Sequence, residues 1–360
     1  MKMRDITTII EAASRAPSGG NIQPWLVSIN DNSIVIKLNP RKLGTILDVS
    51  NYGSLFALGS FTLNAIITAN HLGYDAKEKI SNANDANLFS ITLTFVSAND
   101  KPKLAKLYSY IDERCTNRNI HEGPIIDPNI VGRLSDIVQN NNPLFTFHSV
   151  RTNEDKKSFA RILGKADMIR TKNTELLKQM MSEMRWTDHE VEKTRDGLDV
   201  KAMELPGNVG KMLHLLSRFP NMAKTLPDSA LEKQAWPLLT NSSHLCVVSF
   251  TKKPSPQALY DSGKIVQQLW LEATKQDLSL HPWTVLTFFA IRAKYFKGTF
   301  FNSFEEKLLV KLIGDIKSLF KMDKNTTPLF IFRLSKTKKP SAISKRYPLE
   351  KIIINSISNN

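Results

Sequence analysis

Residues 12–25 read AASRAPSGGNIQPW, and the local fold is decided there. Upstream, Ile6, Ile9, Ile10, Ala13 and Ala16 recur at helical spacing, which predicts an amphipathic helix over residues 4–16. Pro17 has no N–H and disfavours helix at the residue before it, so the helix is predicted to stop there. Gly19 and Gly20 permit positive φ and close backbone approach. Ser18 and Asn21 add a hydroxyl and an amide beside them, and Gln23 a second amide. An amide both donates and accepts, which suits the edge of a heterocycle. A strand is predicted to open at Trp25. Such a turn offers backbone N–H groups and short polar side chains to a ligand. An ordinary helix–loop–strand joint uses the same residues.

The chain has 360 residues and is 41% hydrophobic, enough for two domains or one large one. Two cysteines, Cys115 and Cys246, exclude a disulfide framework and fit a reducing compartment, so a cytoplasmic location is expected. Arg4, Asp5 and Glu11 enclose no apolar run, so no secretory signal is expected. The longest uncharged run, Val49 to Tyr74, contains Asn51, Ser54, Ser60, Thr62, Asn64, Thr68 and Asn70. That polarity predicts a helix buried in protein, and no membrane partner is expected. The net charge is +15, but the basic residues are scattered among 34 acidic ones. The densest cluster, Lys336 to Arg346 (KTKKPSAISKR), meets no aromatic residue until Tyr347, and no nucleic-acid-binding motif is visible. No nucleic-acid partner is expected; a solvated basic surface that attracts anionic cofactors or substrates is.

Helix, strand and an arginine-containing segment recur in that order. WLVSI (25–29) and SIVIKL (33–38) predict a hairpin joined at Asn30 to Asn32. The long helix follows, then a strand at 88–96. A helical stretch from Pro102 leads into Arg114-Cys115-Thr116-Asn117-Arg118. Then come a helix at 127–139, a strand near 145–150 and a charged helical region at about 154–235 with Met180, Met181, Met184 and Trp186. A long helix at 262–277 and a strand at 328–334 precede Ser344-Lys345-Arg346-Tyr347-Pro348. The order of elements supports a repeat better than the letters do.

In an extended segment Arg114, Thr116 and Arg118 would face one side. Guanidinium groups match phosphate through parallel, charge-assisted hydrogen bonds, so the segment is a candidate phosphate clamp. A solvated charged loop is the plainer alternative. A thiol between two arginines could have a lowered pKa, but Cys115 is expected to be a bystander.

These segments resemble the nitroreductase family. There, an Arg-x-Ser/Thr-x-Arg segment holds the FMN phosphate, and an APSxxNxQPW segment touches the flavin across a dimer interface. Here both occur in reverse order, followed by Arg346-Tyr347-Pro348-Leu349. That order is similar to the long, duplicated Acg-type branch, in which one chain supplies both halves of the usual dimer. The resemblance spans most of the chain and is strongest at 12–29, 52–74, 111–134 and 328–352.

The resemblance implies an α+β, nitroreductase-like fold of two fused pseudo-symmetric halves, residues 1–110 and 111–360, forming a single-chain pseudo-dimer. It implies a helical lid insertion at about 154–235, carrying Trp186 and Asp196-Gly197-Leu198. A C-terminal segment, 336–360, would pack back on the first half. Ser18, Gly19, Gly20, Asn21 and Gln23 would meet the flavin. Arg114, Thr116 and Arg118 would hold its phosphate, with Arg346 as a further basic contact. The cofactor would be FMN and the electron donor NADPH or NADH. A flat conjugated small molecule, nitroaromatic or quinone, would be the acceptor in a ping-pong cycle.

Two departures stand out. Asn140-Asn141-Asn142-Pro143-Leu144 occupies the place of a second turn without its serine, glycine or tryptophan, so one FMN per chain is expected. Cys115 replaces the second arginine of the family's usual Arg-Arg-Ser/Thr opening. An alternative is a flavin-binding, flavin-sequestering protein whose insertion closes the site and leaves little turnover. No residue is singled out as catalytic. The seven histidines show no HxxxH or HExxH spacing, and Asp188-His189-Glu190 with Glu192 reads as a solvated helix face. No metal site is expected. There is no GxGxxG and hence no expectation of a Rossmann domain.

Overall fold

A computed structural model of the chain describes residues 1–100, 102–205, 207–298 and 300–354. The C-terminal end of the 336–360 segment, residues 355–360, lies outside them. The first helix, α1 (Met3–Ser14), buries Ile6, Ile9, Ile10 and Ala13 along one face, as its spacing predicts. The hairpin of β1 (Trp25–Asn30) and β2 (Ser33–Leu38) follows, then α2 (Tyr52–His71), β3 (Tyr74–Ser81), β4 (Ser90–Ser97) and the short α3 (Tyr110–Glu113). These strands form an antiparallel sheet in the order β1-β2-β4-β3.

The second half opens with α4 (Pro128–Asn141) and β5 (Phe145–Val150). A helical insertion comes next: α5 (Asn153–Lys172), α6 (Thr174–Glu183), β6 (Met184–Arg185), α7 (Asp188–Thr194), β7 (Leu198–Asp199), α8 (Gly207–Arg218), α9 (Asp228–Lys233) and α10 (Trp236–Thr240). Then follow β8 (His244–Phe250), α11 (Pro256–Lys275), β9 (Ser279–Pro282), α12 (Val285–Tyr295), α13 (Ser303–Leu319) and β10 (Thr327–Ser335). Its sheet runs β5-β8-β10-β9, all antiparallel, and so repeats the order of the first. Where residues 31 and 32 turn the first hairpin, the insertion joins β5 to β8.

The two central helices, α2 and α11, cross where neither has a side chain. A Cβ on Gly59 would lie 1.9 Å from Tyr260 O, and one on Gly263 would lie 2.0 Å from Phe56 O. Each glycine meets the carbonyl three residues before the other, as at a two-fold interface. Ser60 Oγ donates to Gly263 O at 3.0 Å and Gln267 Nε2 to Asn64 Oδ1 at 2.8 Å. This explains the polar letters in the uncharged run. The stretch Val49–His71 is long and apolar enough to cross a membrane, yet 83% of its apolar window is buried inside the protein.

The strand β4 alternates buried and half-buried positions, whereas every residue of β8 is buried. Cys246 and Val248 face the core shared with α2 and α11, while Leu245 and Val247 pack against α5, α12 and α13. The arginine-bearing segments then reach the sheets, and the C-terminal one crosses to the first half. Thr116 bridges Leu280 of β9, and Ile353 bridges Val27 of β1.

Candidate functional site

The helix α1 ends at Ser14, two residues before the predicted stop, and the chain then coils tightly. Gly20, Asn21 and Gln23 all have positive φ, at 56°, 54° and 53°. Only glycine adopts that conformation freely, so other bonds must hold the two amides in place. Ser18 Oγ accepts the Gln23 N–H at 3.0 Å. Gln23 is 1% exposed. Its Nε2 donates to Arg195 O at 2.9 Å, and its Oε1 accepts the Tyr347 N–H at 2.8 Å. The Gln23 amide thus joins turn, insertion and C-terminal segment. Asn21 Nδ2 donates to Lys345 O at 3.1 Å, whereas its buried Oδ1 has no partner among the described residues.

Two arginines far apart in sequence meet just before this turn. Arg114 Nη2 donates to Arg15 O at 2.7 Å, and its guanidinium lies 4.7 Å from the Trp270 ring centroid. Arg346 donates to Ser14 O at 2.9 Å and to Arg15 O and Ala16 O at 3.2 Å each. They cap the negative end of α1, whose last carbonyls have no helical partner. Burial lowers the Arg114 pKa to about 10, and burial and the neighbouring Arg114 and Arg15 push that of Arg346 well down. Arg114 Nε is a second buried polar atom without a partner among the described residues.

Arg118 points elsewhere. The chain leaves α3 at Glu113, so Arg114 and Arg118 do not share one extended face. Arg118 Nη1 donates to Ala202 O of the insertion at 2.8 Å. Beside it lies Arg333, 1% exposed, whose Nη2 donates to Asn119 O at 2.7 Å and whose Nε donates to His281 Nδ1 at 3.0 Å. None of Arg114, Arg118, Arg333 and Arg346 has a carboxylate within ion-pair distance among the described residues; Glu204 is near enough to Arg118 to be felt. For Cys115, burial outweighs the three arginines around it and raises the thiol pKa, which leaves the thiol unactivated.

The insertion covers the turn. A Cβ on Gly20 would stand 2.7 Å from Glu183 Oε2, at the end of α6. Burial raises the Glu183 pKa against the pull of the Gln179 amide, Arg170 and Arg185. Asp196 closes a clasp. Its carboxylate accepts from Arg185 Nη2 at 2.6 Å, from Lys42 Nζ at 3.3 Å and from the Tyr347 hydroxyl. Burial alone would raise the Asp196 pKa; these donors and charges hold it at about 2. Sequence reasoning named Asp196 only through the family resemblance and Tyr347 only as a neighbour of Arg346, and it missed Glu183, Arg195 and Arg333 altogether. Glu183 stands between methionines on an ordinary amphipathic helix, and no local signal marks it.

These residues fit a flavin nucleotide in part. The orphaned Asn21 Oδ1 suits a ring N–H, the uncompensated guanidinium groups suit a phosphate, and Gly20 leaves backbone open to close approach. The Glu183 carboxylate stands over that same glycine, so its side chain must swing aside for a ring to reach it. Among the described residues, no group of three histidine, cysteine, aspartate or glutamate side chains is placed to hold a metal ion.

No family model matches the chain. It is 29% identical over 343 residues to the uncharacterized protein MT1398 of Mycobacterium tuberculosis (strain CDC 1551 / Oshkosh), an alignment covering 94% of this chain and 46% of that protein. The chain therefore spans about half the length of the curated relative it matches. Among solved structures, it is similar to the FMN-dependent nitroreductase NfnB from Mycobacterium smegmatis in complex with NADPH, at 10% identity and a TM-score of 0.39, over 69% of this chain and 97% of that one. It is also similar to a nitroreductase with bound FMN from Bacteroides fragilis NCTC 9343, at 9% identity and a TM-score of 0.37, over 71% and 97%. Likeness at this level carries no argument about chemistry; the α+β class rests on the chain's own helices and antiparallel sheets.

Proposed function

We propose that the chain is a nitroreductase-like flavoprotein of fused halves that binds one FMN beside the 18–23 turn and passes electrons from NAD(P)H to a flat conjugated acceptor. One observation carries the reading: Arg114 and Arg346 are drawn together at the turn, and among the described residues no carboxylate lies within ion-pair distance of either. An enclosed charge without a counter-charge is costly, and a phosphate would supply the missing one. Arg114 and Arg346 would hold that phosphate, with the Thr116 hydroxyl nearby in the chain. Arg118 would join them only on leaving Ala202 O. Asn21 would accept from the ring edge, and Gln23 would keep the turn in shape. Bound FMN would supply hydride acceptance and onward electron delivery.

Each arginine removed takes away a charge-assisted contact of about 1.5–3 kcal/mol, or roughly ten- to a hundredfold in affinity. FMN fluorescence titrations of Arg114→Ala and Arg346→Ala test this, with Cys115→Ser expected to match the parent. A colourless preparation that ignores added FMN refutes the proposal.

The contact of Glu183 with Gly20 and the Asp196 clasp favour the second reading, sequestration. Anaerobic NADPH separates the two: bleaching of bound flavin supports turnover, and flavin that stays oxidised supports storage.

A further inference from the structure

The insertion carries a second surface that flavin chemistry does not use. From Leu205 to Pro227 the sequence holds Lys211, Arg218 and Lys224 and no aspartate or glutamate. This stretch is mostly α8 and the short helical turn Pro220–Thr225. Its inner side packs on α6, where Leu216 and Ala223 meet Leu177 and Met181. Its outer side leaves Leu215 43%, Phe219 56% and Met222 44% exposed. Leu215 lies in the last turn of α8, Phe219 at the non-helical joint that follows it and Met222 in the next turn, so the three gather around one bend. Lys211 and Arg218 flank it, and none of the three basic residues is in an ion pair among the described residues. On neighbouring elements, Glu175 is paired with Lys178 and Asp228 with Lys172.

We infer that this face seats on an anionic lipid bilayer. Three exposed apolar side chains cannot supply the ~800 Å² per partner of a stable protein interface. They are enough to dip below a headgroup layer while the lysine and arginine stems reach its phosphates. The sequence reading expected no membrane partner because its long apolar run is buried in α2; lying on a membrane needs no such run. The inference is independent of flavin binding. It does place the membrane contact on the body that covers the turn, since α6 carries both the inner contacts of α8 and Glu183.

Co-sedimentation of the full chain with vesicles decides it. Binding is expected to vesicles of phosphatidylcholine mixed with phosphatidylglycerol, and not to phosphatidylcholine alone, and high salt should weaken it. Lys211→Gln or Arg218→Gln should each weaken partitioning about fivefold. Phe219→Ser should weaken it about tenfold or more with an unchanged melting temperature, because the side chain is exposed. Lys338→Gln with Lys339→Gln should leave it unchanged, which separates this face from the general basic charge. The inference is overturned by equal binding to neutral vesicles, by equal losses in the Lys338/Lys339 variant, or by a Phe219 variant that binds like the parent. Self-association abolished by Phe219→Ser, without vesicle binding, would assign the face to a second copy and also overturn it.

Discussion

Replacing Gly59 with alanine adds one methyl group where two backbones already touch. The new Cβ would lie 1.9 Å from Tyr260 O, against the 3.4 Å at which ordinary contact begins, an overlap of 1.5 Å. The obstructing atom is a carbonyl oxygen inside α11, so no rotamer change relieves it. The crossing must open, which also stretches the Ser60–Gly263 and Gln267–Asn64 hydrogen bonds. Overpacking of this kind costs about 1–3 kcal/mol, and more when backbone must move. Alanine returns about 1 kcal/mol of helix propensity. A net loss of about 2 kcal/mol is expected. Unfolding entropy of about 2.1 cal/mol/K per residue gives about 0.75 kcal/mol/K for 360 residues, so the melting temperature should fall by roughly 3 °C. The double variant with Gly263→Ala should lose less than the sum, because one opening relieves both sites. Gly314→Ala in α13, where a Cβ meets nothing within 4 Å, should be neutral or slightly stabilising. Calorimetry of the parent, the two single variants, the double variant and Gly314→Ala is the assay. A Gly59→Ala protein that melts with or above Gly314→Ala would refute the crossing.

Burial and nearby cations lower the His244 pKa to about 4 and push that of His281 well down. The unfolded chain then takes up these protons first as pH falls from about 6.5, so stability should drop between there and about pH 4; a melting temperature flat over that window would contradict it. Asp196 acts in the same direction in a lower window, a depressed carboxyl whose contribution is present above about pH 4 and is lost as pH falls toward 2. Asp196→Asn should therefore loosen the insertion at neutral pH, and limited proteolysis within 184–204 no faster than in the parent would count against the clasp. Gly20→Ala places a side chain at a φ of 56° and displaces the Glu183 carboxylate, so it should lower the melting temperature; an unchanged melting temperature would show that the turn does not need glycine there.

The first hairpin and α1 are legible because each carries its own periodicity and stop signal, and α2 because its long uncharged run is studded with polar residues. The strand β3 (YDAKEKIS) carries no clear strand signal because half of its side chains are charged and no residue of it is fully buried, as suits a strand at a sheet edge. The strand β8 fails for the opposite reason. Its run HLCVVSF is buried on both faces, so it lacks the alternation that marks a half-buried strand, and the helices covering its second face come from elsewhere in sequence. The helix α11 starts at Pro256, six residues before the expected start, behind a Ser255 cap whose side chain accepts the Ala258 N–H. The serine–proline signal was there to be read. At the site, the sequence displays donors but not where they point. Extended alternation put Arg114 and Arg118 on one side; the end of α3 sends them to different partners.

The asymmetry of the halves argues for a single site. The connection from α1 to β1 runs over residues 15–24, long enough to coil through three positive-φ residues, while that from α4 to β5 has only residues 142–144. Three residues cannot build the same cradle, whatever their letters. The insertion lies in the half that lacks the cradle, yet its Glu183, Arg195 and Asp196 reach Gly20, Gln23 and Lys42 of the half that has it. The duplicated sheets supply two equivalent frames. The turn lies in one half and its cover in the other, so a single cradle per chain, closed from the opposite half, is the expected stoichiometry.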